Sequence, residues 1–298
     1  MKQDYRQLLN PELVRSISGL ELISRVIVDG YLSGLNHSRR VGPGMEFSQF
    51  RSYQPGDDLR LLDWKMLARS GRYYIKQSEI ETNISVKFIL DSSKSMLHEE
   101  NDMSKMDYVR VLVASLSYLA QNQGDAIGLF ALNDKHLNSV YPKVQKQHFN
   151  RLLLELLSIS NEGQWPTNPN DSRKLHDRTH KELIFFITDM YEHDKELTNF
   201  IKKLKTLRNE VVVLHIMGGD ELEFNYKGNI TFEDLETGVK LKVDAAETKK
   251  QYLKSLIEMM AYTKDVLLAN GISYHLFNLN DHMGEALQLF LKKRIKLM

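Results

Sequence analysis

Cysteine is absent from this chain of 298 residues. That excludes a disulfide framework, a thiolate metal site and a cysteine nucleophile, and it fits a reducing compartment. Net charge is almost absent as well: 40 Lys and Arg against 39 Asp and Glu leave +1. So small an excess argues against a general electrostatic claim on nucleic acid or an anionic membrane, and Arg39-Arg40 is too short to count as a basic patch. No run free of charge approaches the roughly 18 residues that a membrane helix needs. The start, Met1-Lys2-Gln3-Asp4-Tyr5-Arg6, lacks the apolar core of a signal peptide, so a cytoplasmic location is expected. There is no G-x-S-x-G elbow to support Ser-His-Asp catalysis. Gly42-Pro43-Gly44 lacks the lysine-serine ending and the preceding strand of a phosphate loop. What remains is ordinary for a soluble globular protein, with 42% hydrophobic and 27% charged residues. The length suits one large domain or two modest ones.

From Val86 onward, strand-like and helix-like segments alternate, the pattern of an α/β domain with a mostly parallel sheet. Apolar runs predict strands at Val86–Leu90, Ala126–Ala131, Leu183–Ile187, Val211–Ile216 and Ile272–Phe277, with a weaker edge strand at His136–Val144. Helical periodicity falls between them: after Met96 with Tyr108, Val111, Leu112, Leu116 and Leu119 on one face, then at Phe149–Ile159, Leu197–Leu207, Ala245–Ala269 and Met283–Arg294. Asn270-Gly271 suits a helix C-cap. Residues 218–244 read as a β-rich insertion with a turn at Glu236-Thr237-Gly238. At the other end, Asn10-Pro11-Glu12 starts a helix reaching about Ser33, its stripe of Leu13, Ile17, Leu20, Ile23 and Ile27 suited to packing on a neighbouring domain. The expected division is residues 1–83, a helix and an irregular segment packed on the main domain, and residues 84–298.

The strand at Val86–Leu90 ends abruptly in Asp91-Ser92-Ser93-Lys94-Ser95. Beyond the carboxyl end of a strand in an open parallel sheet, one carboxylate and two hydroxyls can converge on a point. Oxygen-only ligands suit a hard cation such as Mg²⁺. The same residue types also cap helices, so capping of the following helix is the competing explanation. A second strand ends in Thr188-Asp189. Asp91 as an aspartyl-phosphatase nucleophile would want a second acid where Ser93 stands. His176-Asp177-Arg178-Thr179-His180 has zincin-like spacing but polar flanks that favour a solvated loop. His215 and His275 lie within apolar strands and read as hydrogen-bonded core residues, and Trp64 and Trp165 read as packing residues.

Between residues 36 and 83 the texture changes to glycines, prolines and aromatics among charges. Gly44, Glu46, Phe47, Arg51, Tyr53, Gly56, Asp57, Asp58, Arg60, Asp63, Trp64, Ala68 and Arg69 form a spaced set. Its Arg and Asp residues suit an ion-pair network that pins an irregular segment, and Asp57 and Asp58 suit the cap of a short helix containing Arg60, Trp64 and Ala68. The set resembles the signature of the bacterial "domain of unknown function 58" family, with Leu62 where that family usually has isoleucine. The D-x-S-x-S run likewise resembles the metal-ion-dependent adhesion site of von Willebrand factor A domains. The resemblance implies an α/β, von Willebrand A-like fold, doubly wound with helices on both faces of a mostly parallel sheet. It implies a site for Mg²⁺ or Mn²⁺ made by Asp91, Ser93, Ser95, Asp189 and Thr167, the last in a Trp165-Pro166-Thr167 loop where the pattern usually has glycines. It further implies a non-enzymatic module that binds an acidic residue of a partner protein. Similar proteins are often encoded beside MoxR-type AAA+ ATPases, which makes such an ATPase the expected partner. The alternatives are a metal-dependent hydrolase using Asp91 and Asp189, and a scaffold that binds no metal.

Overall fold

Pro11 opens the first described helix, α1 (Pro11–Val14), at a position whose N–H would be unpaired in any helix. The computed structural model describes residues 11–36, 47–54, 62–78, 84–166, 175, 181–192 and 194–295. The sequence predicts one helix from Pro11 to about Ser33, but the structure has two. Ser16 interrupts it: its hydroxyl accepts the Gly19 N–H and donates to the Leu13 carbonyl, each at 3.1 Å. It thereby closes α1 and caps α2 (Ile17–Asn36). Gly19 is required at this break, because a Cβ would stand 2.1 Å from the Leu13 carbonyl oxygen. Leu20, Ile23, Ile27 and Val28 of α2 are buried, as the stripe predicts.

Contacts divide the chain into one compact unit of Met1–Leu32 with Ile84–Met298, and a second of Ser33–Asn83. The N-terminal helices thus group with the large unit. In the second unit, β1 (Phe47–Ser52) precedes α3 (Trp64–Ser70) and pairs antiparallel with β2 (Tyr74–Ser78). The cap of α3 is Asp63, which accepts the N–H groups of Lys65 and Met66 at 2.9 and 3.0 Å. Asp57 and Asp58, which the sequence offers as caps, lie outside the described residues. Gly71 ends it in the left-handed region at φ +67°. Gly44, Glu46, Gly56, Asp57, Asp58 and Arg60 of the signature lie outside the described residues.

The large unit is built on β3 (Ser85–Asp91), every residue of which is buried. A two-residue pair, β4 (Glu99–Glu100) with β5 (Met103–Ser104), then leads into α4 (Lys105–Asn122). There follow β6 (Ala126–Leu132), β7 (Leu137–Lys143), α5 (Lys146–Ser158), β8 (Glu182–Thr188), α6 (Glu196–Leu204) and β9 (Asn209–Met217). The remainder is α7 (Gly219–Glu223), the hairpin of β10 (Asn229–Glu233) and β11 (Lys240–Asp244), α8 (Ala245–Ala269), β12 (Ser273–Asn278) and α9 (Met283–Ile295). Six strands make one sheet in the order β12-β9-β8-β3-β6-β7. All its pairings are parallel except that of β7, the edge strand, which runs antiparallel to β6. From β3 the chain moves to β6 on one side, and from β8 to β9 on the other. The strand order therefore reverses between β3 and β8, the place where doubly wound sheets bind ligands.

The core explains why the apolar runs are continuous rather than alternating: central parallel strands are covered on both faces. Phe88 stacks on Phe185 at 5.5 Å between ring centroids. At the amino ends of β3 and β8, the buried Lys87 ammonium is satisfied by Glu182 and by the Leu175 carbonyl. Helix α1 is tied to α4 through Arg15, whose guanidinium donates to Asp107 at 2.8 Å, and Arg110 reaches the same carboxylate at 2.7 Å. Burial pushes the Asp107 carboxyl up, but these two guanidiniums outweigh it and hold it below the usual carboxylate range.

A carboxyl whose pKa is lowered by folding stabilises the protein above its unfolded value, near 3.9, and that contribution is lost as pH falls through the folded value. Arg15 is 58% exposed and its pairing is partly screened. Asp107→Asn is therefore expected to lower stability at pH 7 by about 1–2 kcal/mol. In thermal melts the mutant should lose less of its remaining stability than the wild type between about pH 5 and pH 2. Parallel acid limbs for the two proteins would contradict the assignment.

Candidate functional site

Register brings the two strand-end acids together. Leu90 of β3 lies opposite Ile187 of β8, so the next pair in register is Asp91 and Thr188. The Thr188 hydroxyl donates to Asp91 Oδ2 at 2.8 Å, and the Ser93 N–H donates to Asp91 Oδ1 at 3.0 Å. Two residues beyond β8, the backbone turns left-handed at Met190, φ +55°. The turn leaves the Asp189 carboxylate at the same sheet end, where its Oδ1 accepts the Tyr191 N–H at 3.2 Å. Such a conformation in a non-glycine residue is costly and clusters at functional sites.

The two serine hydroxyls complete the group. Ser93 Oγ and Ser95 Oγ lie 2.9 Å apart, with Ser95 close to Asp189 and Ser93 close to Asp91. All four residues, Asp91, Ser93, Ser95 and Asp189, are buried. Capping does not account for them. Ser93 makes no side-chain cap bond to the short 3-10 turn Lys94–Leu97 that follows. The long helix α4 begins only at Lys105 and is capped by Ser104, whose hydroxyl accepts the Asp107 N–H at 3.0 Å.

Two residues that the sequence reasoning did not assign to the site, Lys105 and Glu236, belong to it. Lys105, the first residue of α4, places its buried ammonium 3.1 Å from Asp189 Oδ2 and 2.9 Å from Glu221 Oε1. Burial works against that charge, but Asp189 and Glu221 outweigh it and raise the Lys105 pKa. The reciprocal effect holds for Asp189: burial pushes its carboxyl up, and Lys105 brings it below the ordinary value. Glu236, from the turn between β10 and β11, lies close to Ser95 and Ser93 and to the charges of Asp91 and Asp189. The local signal for Lys105 was the S-x-x-D spacing of a capping box, Ser104 to Asp107, which fixes where α4 begins. Nothing local announces that Glu236 reaches strands so distant in sequence.

The electrostatics follow from the inventory. Asp91, Asp189 and Glu236 crowd around two hydroxyls, and the ammonium of Lys105 is shared with Glu221. Burial, followed by the Asp189 charge, pushes the Asp91 carboxyl up to about 6. Burial and the charges of Asp91 and Asp189 push Glu236 to about 7. Asp91 receives the Thr188 hydroxyl and the Ser93 N–H, Asp189 the Lys105 ammonium and the Tyr191 N–H, and beyond these the two serine hydroxyls have one proton each for the remaining carboxylate lone pairs. The set is rich in acceptors, and its candidate ligand atoms, carboxylate and hydroxyl, are all oxygen. That chemistry fits a hard divalent cation.

Other candidates separate out. Thr167, His176, Asp177 and His180 lie outside the described residues. His98, Glu100 and Glu221 approach one another, but their oxygens are committed to the fold: Glu100 accepts the Asp220 N–H at 3.0 Å and Glu221 the Gly218 N–H at 2.7 Å. His215 is a core residue, as expected. Its ring bridges the Asp189 carbonyl at 2.9 Å and the Tyr274 hydroxyl at 2.6 Å, and burial lowers its pKa to about 4, so it is neutral. Trp165 packs edge-on against Phe186 and Phe200. Trp64, expected to pack, is instead 65% exposed, because its place at the first turn of α3 turns it outward. Beside the site lies a cavity of about 470 Å³, walled by Phe224, Tyr226, Phe232 and Tyr252, with Lys105 and Asp189 at its polar end.

No helix among the described residues is long and apolar enough to cross a membrane. The sheet is the mostly parallel, doubly wound α/β sheet that the sequence predicts. Solved structures similar to it include the BatB protein of Bacteroides thetaiotaomicron, 15% identical with a TM-score of 0.44, covering 72% of this chain and 100% of that one. A von Willebrand factor type A protein of Catenulispora acidiphila is 12% identical with a TM-score of 0.39, covering 73% and 42%. Among curated relatives, the uncharacterized proteins Rv1480 of Mycobacterium tuberculosis and Mb1516 of Mycobacterium bovis are each 24% identical over 239 residues, 77% of this chain and 73% of theirs. The family model described as "Protein of unknown function DUF58" matches residues 49–261, well over half of the sequence, and the chain belongs to that family.

Proposed function

We propose that this protein is a non-enzymatic interaction module whose Asp91, Ser93, Ser95 and Asp189, joined by Thr167, hold Mg²⁺ or Mn²⁺ for recognition of a partner's carboxylate. The observation that supports this reading is the surplus of carboxylate oxygen over hydroxyl protons at the adjoining ends of β3 and β8. The serine hydroxyl oxygens are suited to direct ligation, and the two aspartates supply charge that offsets the dication. When bound, the ion supplies a Lewis-acid contact for an incoming Asp or Glu side chain. This chain's own residues do the positioning. Thr188 and the Ser93 N–H hold Asp91 in place, while Lys105 and the Tyr191 N–H hold Asp189. His215 pins the Asp189 carbonyl from below. The proposed partner is a MoxR-type AAA+ ATPase, on the strength of the resemblance of the sequence to proteins encoded beside such ATPases.

The test is titration calorimetry with Mg²⁺ and Mn²⁺, followed by capture of the ATPase with and without chelator. One ion per chain is expected, with Asp91→Ala weakening it on the order of tenfold or more and abolishing metal-dependent capture. Equal metal binding by wild type and Asp91→Ala would overturn the site, and capture indifferent to chelator would overturn its role. Turnover of a generic phosphate ester that is lost in Asp91→Asn would favour the hydrolase instead.

Lys105 allows a second check through stability. Lys105→Met leaves two acids without their buried cation and should cost about 3–5 kcal/mol in metal-free buffer. Because binding to the folded state stabilises it, added Mn²⁺ should raise the Tm of the mutant more than that of the wild type. Identical Tm shifts would mean that the ion does not bind beside Asp189.

A further inference from the structure

The insertion between β9 and α8 is built to aim one carboxylate. Phe232 of β10 packs on Phe224, with centroids 5.9 Å apart, and Phe224 packs on Tyr252 of α8 at 4.9 Å. Asp244 at the end of β11 caps α8 by accepting the Ala246 N–H at 2.9 Å. The hairpin is thus anchored at its base. Its tip is ordered by Asp234, whose Oδ1 accepts the Glu236 N–H at 2.8 Å and whose Oδ2 accepts the Thr237 hydroxyl at 2.7 Å. The turn closes through Gly238 at φ +73°, a conformation that favours glycine. A tether then joins the tip to the strand-end loop: the Tyr191 hydroxyl donates to Asp234 Oδ2 at 2.9 Å. Tyr191 lies two residues after Asp189, so this bond fixes the tip relative to the site. The outcome is a half-buried Glu236 placed beside Ser93, Ser95, Asp91 and Asp189.

A carboxylate gains little from lying beside Asp91 and Asp189, since like charges repel in a partly desolvated site. A dication among the three would turn that repulsion into attraction. Resting on the cation site proposed above, we propose that Glu236 is an internal ligand: it occupies the position a partner's acid would take, and a partner must displace the hairpin tip to reach the ion. The site is then self-liganded at rest. The hairpin acts as a tethered competitor, and the Tyr191–Asp234 hydrogen bond is its latch.

The experiment uses the full chain with Mn²⁺ as the ion and acetate as the probe carboxylate. Water-proton relaxation reports the exchangeable waters on bound Mn²⁺, and titration gives the affinities. Glu236→Gln is expected to bind Mn²⁺ on the order of tenfold more weakly, yet with higher relaxivity per bound ion. Acetate should lower that relaxivity in the mutant at concentrations that leave the wild type unchanged. Glu236→Ala is a second variant with the same expectation, Tyr191→Phe should fall between mutant and wild type, and Glu233→Gln, exposed on the same hairpin, should match the wild type. If Glu236→Gln and Glu236→Ala equal the wild type in both affinity and acetate response while Asp91→Ala loses Mn²⁺, the internal ligand is refuted and the cation site stands. If the wild type binds no Mn²⁺, or Asp91→Ala binds it equally well, the cation site falls and the internal ligand with it.

Discussion

The balance of charge where β3 and β8 end constrains the rest of the site. Two buried aspartates, two buried hydroxyls, a half-buried glutamate and an ammonium shared with Glu221 meet there. A protein interior tolerates such a group only if it is paired, hydrogen-bonded or bound to a cation. The surrounding structure reads as a set of responses to that demand. Lys105 starts α4 under the site, Thr188 spends its proton on Asp91, and the strained turn at Met190 orients Asp189. His215 stays neutral because burial suppresses its charge, so it adds no cation of its own and serves as a hydrogen-bonded strut.

That arrangement also bears on the choice between binding and catalysis. Hydrolysis needs a group able to take a proton from water near the reacting atom. His215, the imidazole that touches Asp189, spends both ring nitrogens on a carbonyl and a tyrosine hydroxyl. The serine hydroxyls are held among carboxylates that a cation would claim, with no imidazole hydrogen-bonded to either among the described residues. The proposed ion-binding role needs no such imidazole, only the oxygen cluster itself.

Much of the fold was legible because central strands and amphipathic helices carry their own periodicity. Leu183–Ile187 reads as a buried strand, and Asn270-Gly271 ends α8 as predicted. The edge position of β7 was legible from its weak apolar signal. The break at Ser16 was not, since a helical stripe continues across it and only the hydroxyl and Gly19 mark the change. Asp63 was not singled out as the cap of α3, because Asp57, Asp58 and Asp63 are all good capping residues and the choice depends on where the helix starts. For the site, Asp91, Ser93, Ser95 and Asp189 could be named because each stands at a strand end, a position that sequence reveals. Lys105 and Glu236 sit at a helix start and a turn, where their residue types are commonplace, and their relation to the site is purely tertiary.

The hairpin makes this tertiary relation consequential for specificity. A carboxylate held in place by the same chain competes at an effective concentration in the millimolar range or above. A lone acidic side chain arriving from solution would seldom prevail against it. A successful partner must therefore gain binding energy elsewhere, and the aromatic wall of Phe224, Tyr226, Phe232 and Tyr252 lies next to the site. Apolar contact there would engage residues that anchor the hairpin, so that it could loosen the tip while the partner's acid takes its place. Recognition would then require two features at once, an acid and an adjacent apolar group. That double requirement would let a site with a simple inorganic core discriminate among the many acidic surfaces it meets.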